Sequence, residues 1–264
     1  TDMSAAFLAV GRSDIGLVGL AASGGLIAVG VGISFWRGLG LERSLLWAAM
    51  RALVQLLIVG WALQLVVDPD DPLIWSGVWL LFMLAFAAWT TAQRAAGVPK
   101  VFALSLLAYA LSGVVTLGVL FGFQVYELEG RTIVPLAGIV VGNSLSATVL
   151  VSRQLLEAAS EQRGVIEGRL ALGLSARDAF QPHLQRALRT ALVPQIETTK
   201  AVGIVALPGA MVGLILAGVD PADAVMVQIS VMYLVLGSVA TTTTVMSIGI
   251  SRELFTPSQQ LRRL

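Results

Sequence analysis

The chain has no cysteine, a single histidine and few charged residues, and each shortage closes off a kind of chemistry. Without cysteine there is no disulfide, no thiolate metal site and no cysteine nucleophile, and the redox compartment is left open. Only 12% of the 264 residues are charged and the formal net charge is +1, which gives a polyanion such as nucleic acid nothing to hold. The lone histidine, His183, lies in a polar connection and reads as a surface residue. No H-E-x-x-H occurs, so zinc-type catalysis has no ligand set. No G-x4-G-K-[ST] occurs either, so the chain carries no phosphate-cradling loop, and any ATP with its Mg must be bound elsewhere.

What the chain has instead is apolar length. Hydrophobic residues make up 56% of it and the mean hydropathy is +0.85, which marks an integral membrane protein. Crossing the hydrocarbon takes about 20 apolar residues in a helix, whereas barrel strands would alternate. Continuous apolar runs at 15–35, 45–67, 73–93, 101–126, 132–152, roughly 191–219 and 224–251 predict an all-α bundle of about seven transmembrane helices. Arg51 in the second run, and Glu197 and Lys200 in the sixth, leave those two boundaries open. Asp2 and Asp14 precede the first run where a signal peptide would carry basic residues, so that run reads as a span. No repeat of fixed period appears, and residues 1–264 read as one transmembrane domain.

Lysine and arginine asymmetry sets the orientation. One set of connections holds Arg37, Arg43, Arg94, Lys100, Arg153, Arg163, Arg169, Arg177, Arg186 and Arg189, with Arg252, Arg262 and Arg263 in the tail. The other set is acidic, with Asp2, Asp14, Asp68, Asp70, Asp71, Glu127, Glu129, Asp220 and Asp223, and Arg12 and Arg131 as basic exceptions. The two sets agree when the N-terminus is outside, the C-terminus is cytoplasmic and the spans number seven. The protein is then expected to reside in the inner (plasma) membrane as a multi-pass protein.

The largest cytoplasmic connection, about 153–189, has structure of its own. Leu155, Ala159, Val165 or Ile166, and Leu170 recur at helical spacing, Gly173 ends that helix, and Ser175 with Asp178 forms a capping box that starts another. Phe180, Leu184 and Leu188 give the new helix an apolar stripe, and Pro182 should kink it. An amphipathic turn resting on the membrane surface is the plain reading. The spacing of Glu167, Gly173, Ser175 and Phe180 resembles the EAA loop of bacterial ABC-transporter permeases, with Gly168 and Arg169 in place of the two alanines. The strings "GIVVGNSLSATVL" (138–150), "EGRLALG" (167–173) and "GIVALPGAMVGLILAGVDPADAVMVQI" (203–229) resemble the family of iron-export permeases of the Fet type and their plant aluminium-tolerance relatives. That resemblance covers nearly the whole chain. It implies a permease of two identical copies paired with a separate ABC ATPase subunit, coupled through Glu167, Arg169, Gly173, Ser175, Arg177, Asp178 and Phe180. Where many relatives read "GNSMNA", Ser146 replaces the second asparagine.

Polar residues within spans tend to line interiors or pathways. The candidates for a substrate path are Asn143, Ser144 and Ser146, then Gln195, Glu197, Thr198 and Lys200, and finally Gln228. Pro194, Pro208 and Gly209 are the candidate gating bend. Alternatively the prolines are static kinks, Gly138 with Gly142 and Gly209 with Gly213 serve close packing, and the threonines at 241–244 bond their own helix. No span gathers carboxylates, so a metal ligand set stays unknown. An ion-coupled secondary transporter using Glu197 is the alternative function, and a membrane-embedded enzyme would need a catalytic constellation that the sequence does not offer.

The topology is directly testable because the chain has no native thiol. Single cysteines at Asp70, Glu129 and Asp220 should react with an impermeant thiol reagent added outside sealed cells, and one at Gln162 should not. Outside labelling at Gln162 would invert the orientation.

Overall fold

In the computed structural model, the described residues are 17–66, 73–95, 97–98, 100–124 and 126–262. They are all-helical, with isolated bridges and no strand among them. Asp2, Arg12, Asp14, Asp68, Asp70, Asp71 and Arg263, together with the first residues of the first predicted span, lie outside the described residues. The chain divides into two compact units, Thr1–Asp68 and Pro69–Leu264.

The smaller unit is a helical hairpin of α1 (Leu17–Arg37) and α2 (Glu42–Val66). Its turn needs glycine at two places, since Gly38 and Gly40 have φ of 64° and 67°, a region most side chains avoid. Ser34 ties the turn together: its hydroxyl donates to the Glu42 carboxylate at 2.6 Å and accepts from Leu41 N–H at 3.1 Å.

In the larger unit, α3 (Leu73–Arg94), α4 (Val101–Gly122), α5 (Gly130–Glu161) and α9 (Pro221–Glu253) form a bundle in which α9 packs on both α4 and α5. Short α6 (Arg163–Ala171) and long α7 (Ala176–Ala201) follow α5, and α7 returns along α5 and α9. The eight-residue α8 (Gly209–Leu216) packs on α9. Among the described residues, five helices are long and apolar enough to cross a membrane by length and composition: Glu42–Gly60, Leu73–Arg94, Val101–Gly122, Thr132–Glu161 and Pro221–Glu253.

The sixth predicted span, 191–219, is not one helix. Helix α7 runs through Pro182 and Pro194 and stops at Ala201, and α8 resumes only at Gly209. The break falls at 202–208 because Gly203 takes φ of 87° and Pro208 steers the residue before it out of helical geometry. This segment bonds to itself, with Val205 and Ala206 N–H reaching the Ala201 carbonyl and Gly203 N–H reaching Ala206 at 2.9 Å. The helix of the fifth predicted span continues beyond 152 to Glu161, as the helical spacing of Leu155 and Ala159 implies.

The centre of the bundle is built from small and hydroxyl side chains, so helices approach closely and each hydroxyl finds an acceptor. Ser112 donates to the Ser238 carbonyl at 3.0 Å, Ser144 faces Ser238 at 3.5 Å, and Tyr109 meets Thr91 at 2.8 Å. Thr148, Thr242 and Thr243 are fully buried and donate to carbonyls four residues back. The tightest approach is at Gly249, where an added Cβ would come within 2.8 Å of Leu104 Cδ2. At Gly237 the nearest atom would stand at an ordinary 3.9 Å. Gly249→Ala should therefore lower thermal stability in detergent by about 1–3 kcal/mol, while Gly237→Ala should be neutral or slightly stabilising. Equal effects of the two changes would refute close packing at α4 and α9.

Candidate functional site: a capped corner and an outward polar face

The connection after α5 folds as short α6, a sharp corner and the start of long α7. Helix α6 closes with a Schellman arrangement in which Gly173 N–H reaches the Leu170 carbonyl at 2.9 Å and Leu174 N–H reaches the Arg169 carbonyl at 3.2 Å. Gly173 supplies the φ of 90° this geometry requires. Ser175 then caps α7, its hydroxyl accepting from Asp178 N–H at 3.2 Å. The reciprocal half of the expected capping box is replaced: the Asp178 carboxylate accepts from the Ser175 hydroxyl at 2.6 Å.

The corner is fastened from beneath. Ile166 and Phe180 are buried in the same apolar cluster as Leu155 and Ala159 of α5 and Ile250, Leu254 and Phe255 at the end of α9. Phe180 is 1% exposed and meets the Phe255 ring edge-on at 5.8 Å, so it anchors the corner and does not stand on its surface. Arg169 donates to the Ala179 carbonyl at 3.2 Å, joining the two helices across the turn. Glu167 pairs with Arg163 at 2.8 Å on the exposed side of α6, and Arg163 also donates to the Arg262 carbonyl. Exposed on the corner are Glu167, Arg177 and Asp178 together with Val165, Leu172 and Leu174. A charged rim around projecting apolar residues is the makeup of a protein docking surface.

The C-terminal tail is the part that charge counting missed. Leu254, Phe255 and Leu261 are buried, and the Gln259 side chain accepts from Ala176 N–H at 2.9 Å, capping α7 a second time. Apolar residues on either side of "TPSQQ" were the available signal for a tail that turns back.

The path candidates separate into two groups. Ser144 and Gln228 lie inside the bundle, and the Gln228 amide oxygen, in a residue 5% exposed, has no hydrogen-bond partner. Asn143 and Ser146, three residues apart on one face of α5, point outward, and the Asn143 amide donates to the Ile139 carbonyl at 2.8 Å. On α7, Gln195 is half-buried. Thr198 is exposed and bonded to the Pro194 carbonyl at 2.8 Å, and Glu197 and Lys200 pair at 2.9 Å with 61% and 66% of their side chains exposed. Pro208 caps α8 and Gly209 starts it, next to the non-helical segment in which Ile204 is 92% exposed. Of the small-residue pairs, Gly138 approaches Met83, while Gly142, Gly209 and Gly213 face open space. Thr241, Thr242 and Thr243 bond their own helix. Among the described residues no three His, Asp or Glu side chains gather into a metal site.

A family model for UPF0014, an uncharacterised protein family, matches residues 17–255. The chain is 37% identical over 224 residues to the UPF0014 membrane protein STAR2 of Oryza sativa subsp. japonica, covering 85% of this chain and 78% of the rice protein. It is 32% identical over 236 residues to the "Probable iron export permease protein FetB" of Escherichia coli (strain K12), covering 89% and 91%. It is also 32% identical over 250 residues to the protein ALUMINUM SENSITIVE 3 of Arabidopsis thaliana, covering 94% and 90%. No solved structure matches.

His183 makes the corner sensitive to acid. Burial beside Phe180 holds its pKa below the ordinary 6.5, and the positive charges of Arg169 and Arg186 push the same way. The folded protein then binds fewer protons here than the unfolded chain, so stability is full above about pH 6.5 and falls as pH drops below it. The thermal midpoint should drop more between about pH 7.5 and 5.5 for the parent than for His183→Gln. Equal drops would remove His183 from the account.

Proposed function

The chain belongs to the UPF0014 family of membrane proteins, and from that premise we propose that it is the transmembrane permease subunit of an ABC exporter, driven by ATP hydrolysed on a separate partner subunit. The observation that carries the reading is the corner at 172–175. It is exposed and rigidly capped, and it is fastened by Phe180 to the cytoplasmic ends of α5 and α9, so a push on it is delivered to the two central helices. Glu167, Arg169, Gly173, Ser175, Arg177 and Asp178 form or brace that docking surface. The chain lacks a phosphate-binding loop, which fits a subunit whose ATP and Mg are bound elsewhere. FetB's name supplies the cargo of this reading, iron or another metal moved outward.

The working unit is a homodimer of the permease in this reading. An ion pair and a non-helical backbone segment cannot face lipid tails, where unsatisfied polar groups cost several kcal/mol. Asn143, Ser146, Glu197, Thr198 and residues 203–207 are nonetheless exposed on the single chain. A second copy covering this face encloses them, and the enclosed space becomes the path, with Pro208 and Gly209 at its bend. Seven spans with the N-terminus outside and the C-terminus cytoplasmic place the corner on the ATP side of the inner membrane. The sixth crossing is then made by the end of α7, the irregular segment and α8 together.

Two substitutions test the reading in vesicles holding the permease with its co-purified ATPase. Glu167→Lys should leave assembly intact, because an exposed ion pair contributes only about 0–1 kcal/mol, but should uncouple hydrolysis from transport. Glu197→Gln, which keeps shape and hydrogen bonding, should abolish transport with assembly retained. Parental transport in both variants would move coupling and path elsewhere. Flux that follows a proton gradient without ATP would instead assign a secondary transporter working through Glu197.

A further inference from the structure

Between α7, the last turns of α9 and the returning tail lies a cleft of about 720 Å³. Cations come to it from four separate parts of the chain: Lys100 at the start of α4, Arg177 in the first turn of α7, Arg252 in the last turn of α9 and Arg262 in the tail. Among the described residues the one carboxylate lining it is Glu253, 3.7 Å from a Lys100 side chain that is itself 74% exposed. Among the described residues, the guanidinium groups of Arg177, Arg252 and Arg262 have no ion-pair partner. The other wall is hydrocarbon, from Leu184 and Leu188 of α7 and Ile248 of α9.

The cleft also lies at a definite height. Helix α9 has 33 residues, about 50 Å at 1.5 Å per residue, against about 30 Å of hydrocarbon. Sharing the excess of about 20 Å between its two ends puts its last turn, with Arg252, at headgroup level. Ile248, one turn back from Arg252, lies about 6 Å deeper.

We infer that this cleft binds an anionic phospholipid, with the phosphate held by Arg177, Arg252 and Arg262 and an acyl chain lying along Leu184, Leu188 and Ile248. Guanidinium groups suit phosphate oxygens because their planar N–H pairs bond two oxygens at once. Basic pockets between transmembrane helices on the cytoplasmic side are where anionic headgroups bind. A free phosphate ion would meet the same cations but leave the apolar wall uncovered, which favours the lipid. Occupancy would brace the corner, since Arg177 belongs to the capped first turn of α7 and the Arg262 carbonyl receives Arg163 from α6. The inference is independent of cargo and driving force.

The test is thermal unfolding of the purified full chain in neutral detergent, titrated with phosphatidylglycerol, phosphatidylcholine or inorganic phosphate. Phosphatidylglycerol should raise the midpoint at about tenfold lower concentration than phosphatidylcholine, with inorganic phosphate ineffective at the same concentrations. Arg252→Gln with Arg262→Gln should abolish that preference, Arg252→Lys with Arg262→Lys should keep most of it, and Arg37→Gln with Arg43→Gln, an equal loss of charge elsewhere, should leave it intact. Should the double glutamine variant fail to fold, Arg252→Gln alone reads a partial loss, because that guanidinium has no ion-pair partner to disturb. Equal stabilisation by inorganic phosphate would overturn the lipid assignment. An unchanged preference in the glutamine variants, or an equal loss in the Arg37 and Arg43 control, would overturn the site.

Discussion

The larger unit depends on one constraint: inside hydrocarbon every polar group must find its partner within the protein. Helices satisfy the backbone, and the buried hydroxyls of α3, α4, α5 and α9 satisfy themselves by bonding carbonyls of their own helix or of a neighbour. Because those side chains are small, the helices pack closely, and at Gly249 they leave no room even for a methyl group without moving Leu104. The corner beyond α5 shares one apolar cluster with the ends of α5 and α9, and in the proposed function a push on it reaches the bundle through that cluster.

The same constraint read outward explains the part that a single chain leaves unfinished. In the proposed crossing, the exposed Glu197–Lys200 pair, the outward Asn143 and the irregular backbone between α7 and α8 are arrangements that lipid tails would reject. In the proposed homodimer they share one explanation, a face that meets its own copy around a polar path. The interior candidates behave differently. Ser144 is spent on packing against Ser238, and only the Gln228 oxygen is left without a donor.

Much of this was legible in the sequence because apolar length and helix punctuation are local signals. The runs at 73–93, 101–126, 132–152 and 224–251 correspond to α3, α4, α5 and α9, and Gly173, Ser175 and Asp178 turn and cap the corner where their chemistry requires. Periodicity alone left Val165 and Ile166 equivalent, and burial selects Ile166. Mean hydropathy was misleading at 191–219, where an apolar run conceals a break set by the φ of Gly203 and by Pro208, while Pro182 and Pro194 sit within an unbroken helix. The return of the tail was signalled only by the apolar residues flanking "TPSQQ", because what it docks on is far away in sequence, Phe180 for Phe255 and the Ala176 N–H for Gln259. Spacing likewise put Phe180 among the docking residues, but not whether its ring faces in or out.

The central claim is that this chain is a passive path worked by ATP hydrolysis in another subunit. It is tested most directly by loading sealed vesicles with ferrous or ferric ion, with the permease reconstituted alone or together with its co-purified ATPase, and following metal flux on addition of ATP. The account predicts flux only with both subunits and hydrolysable ATP, and none from the permease alone under any ion gradient. Gradient-driven flux through the permease alone would contradict it.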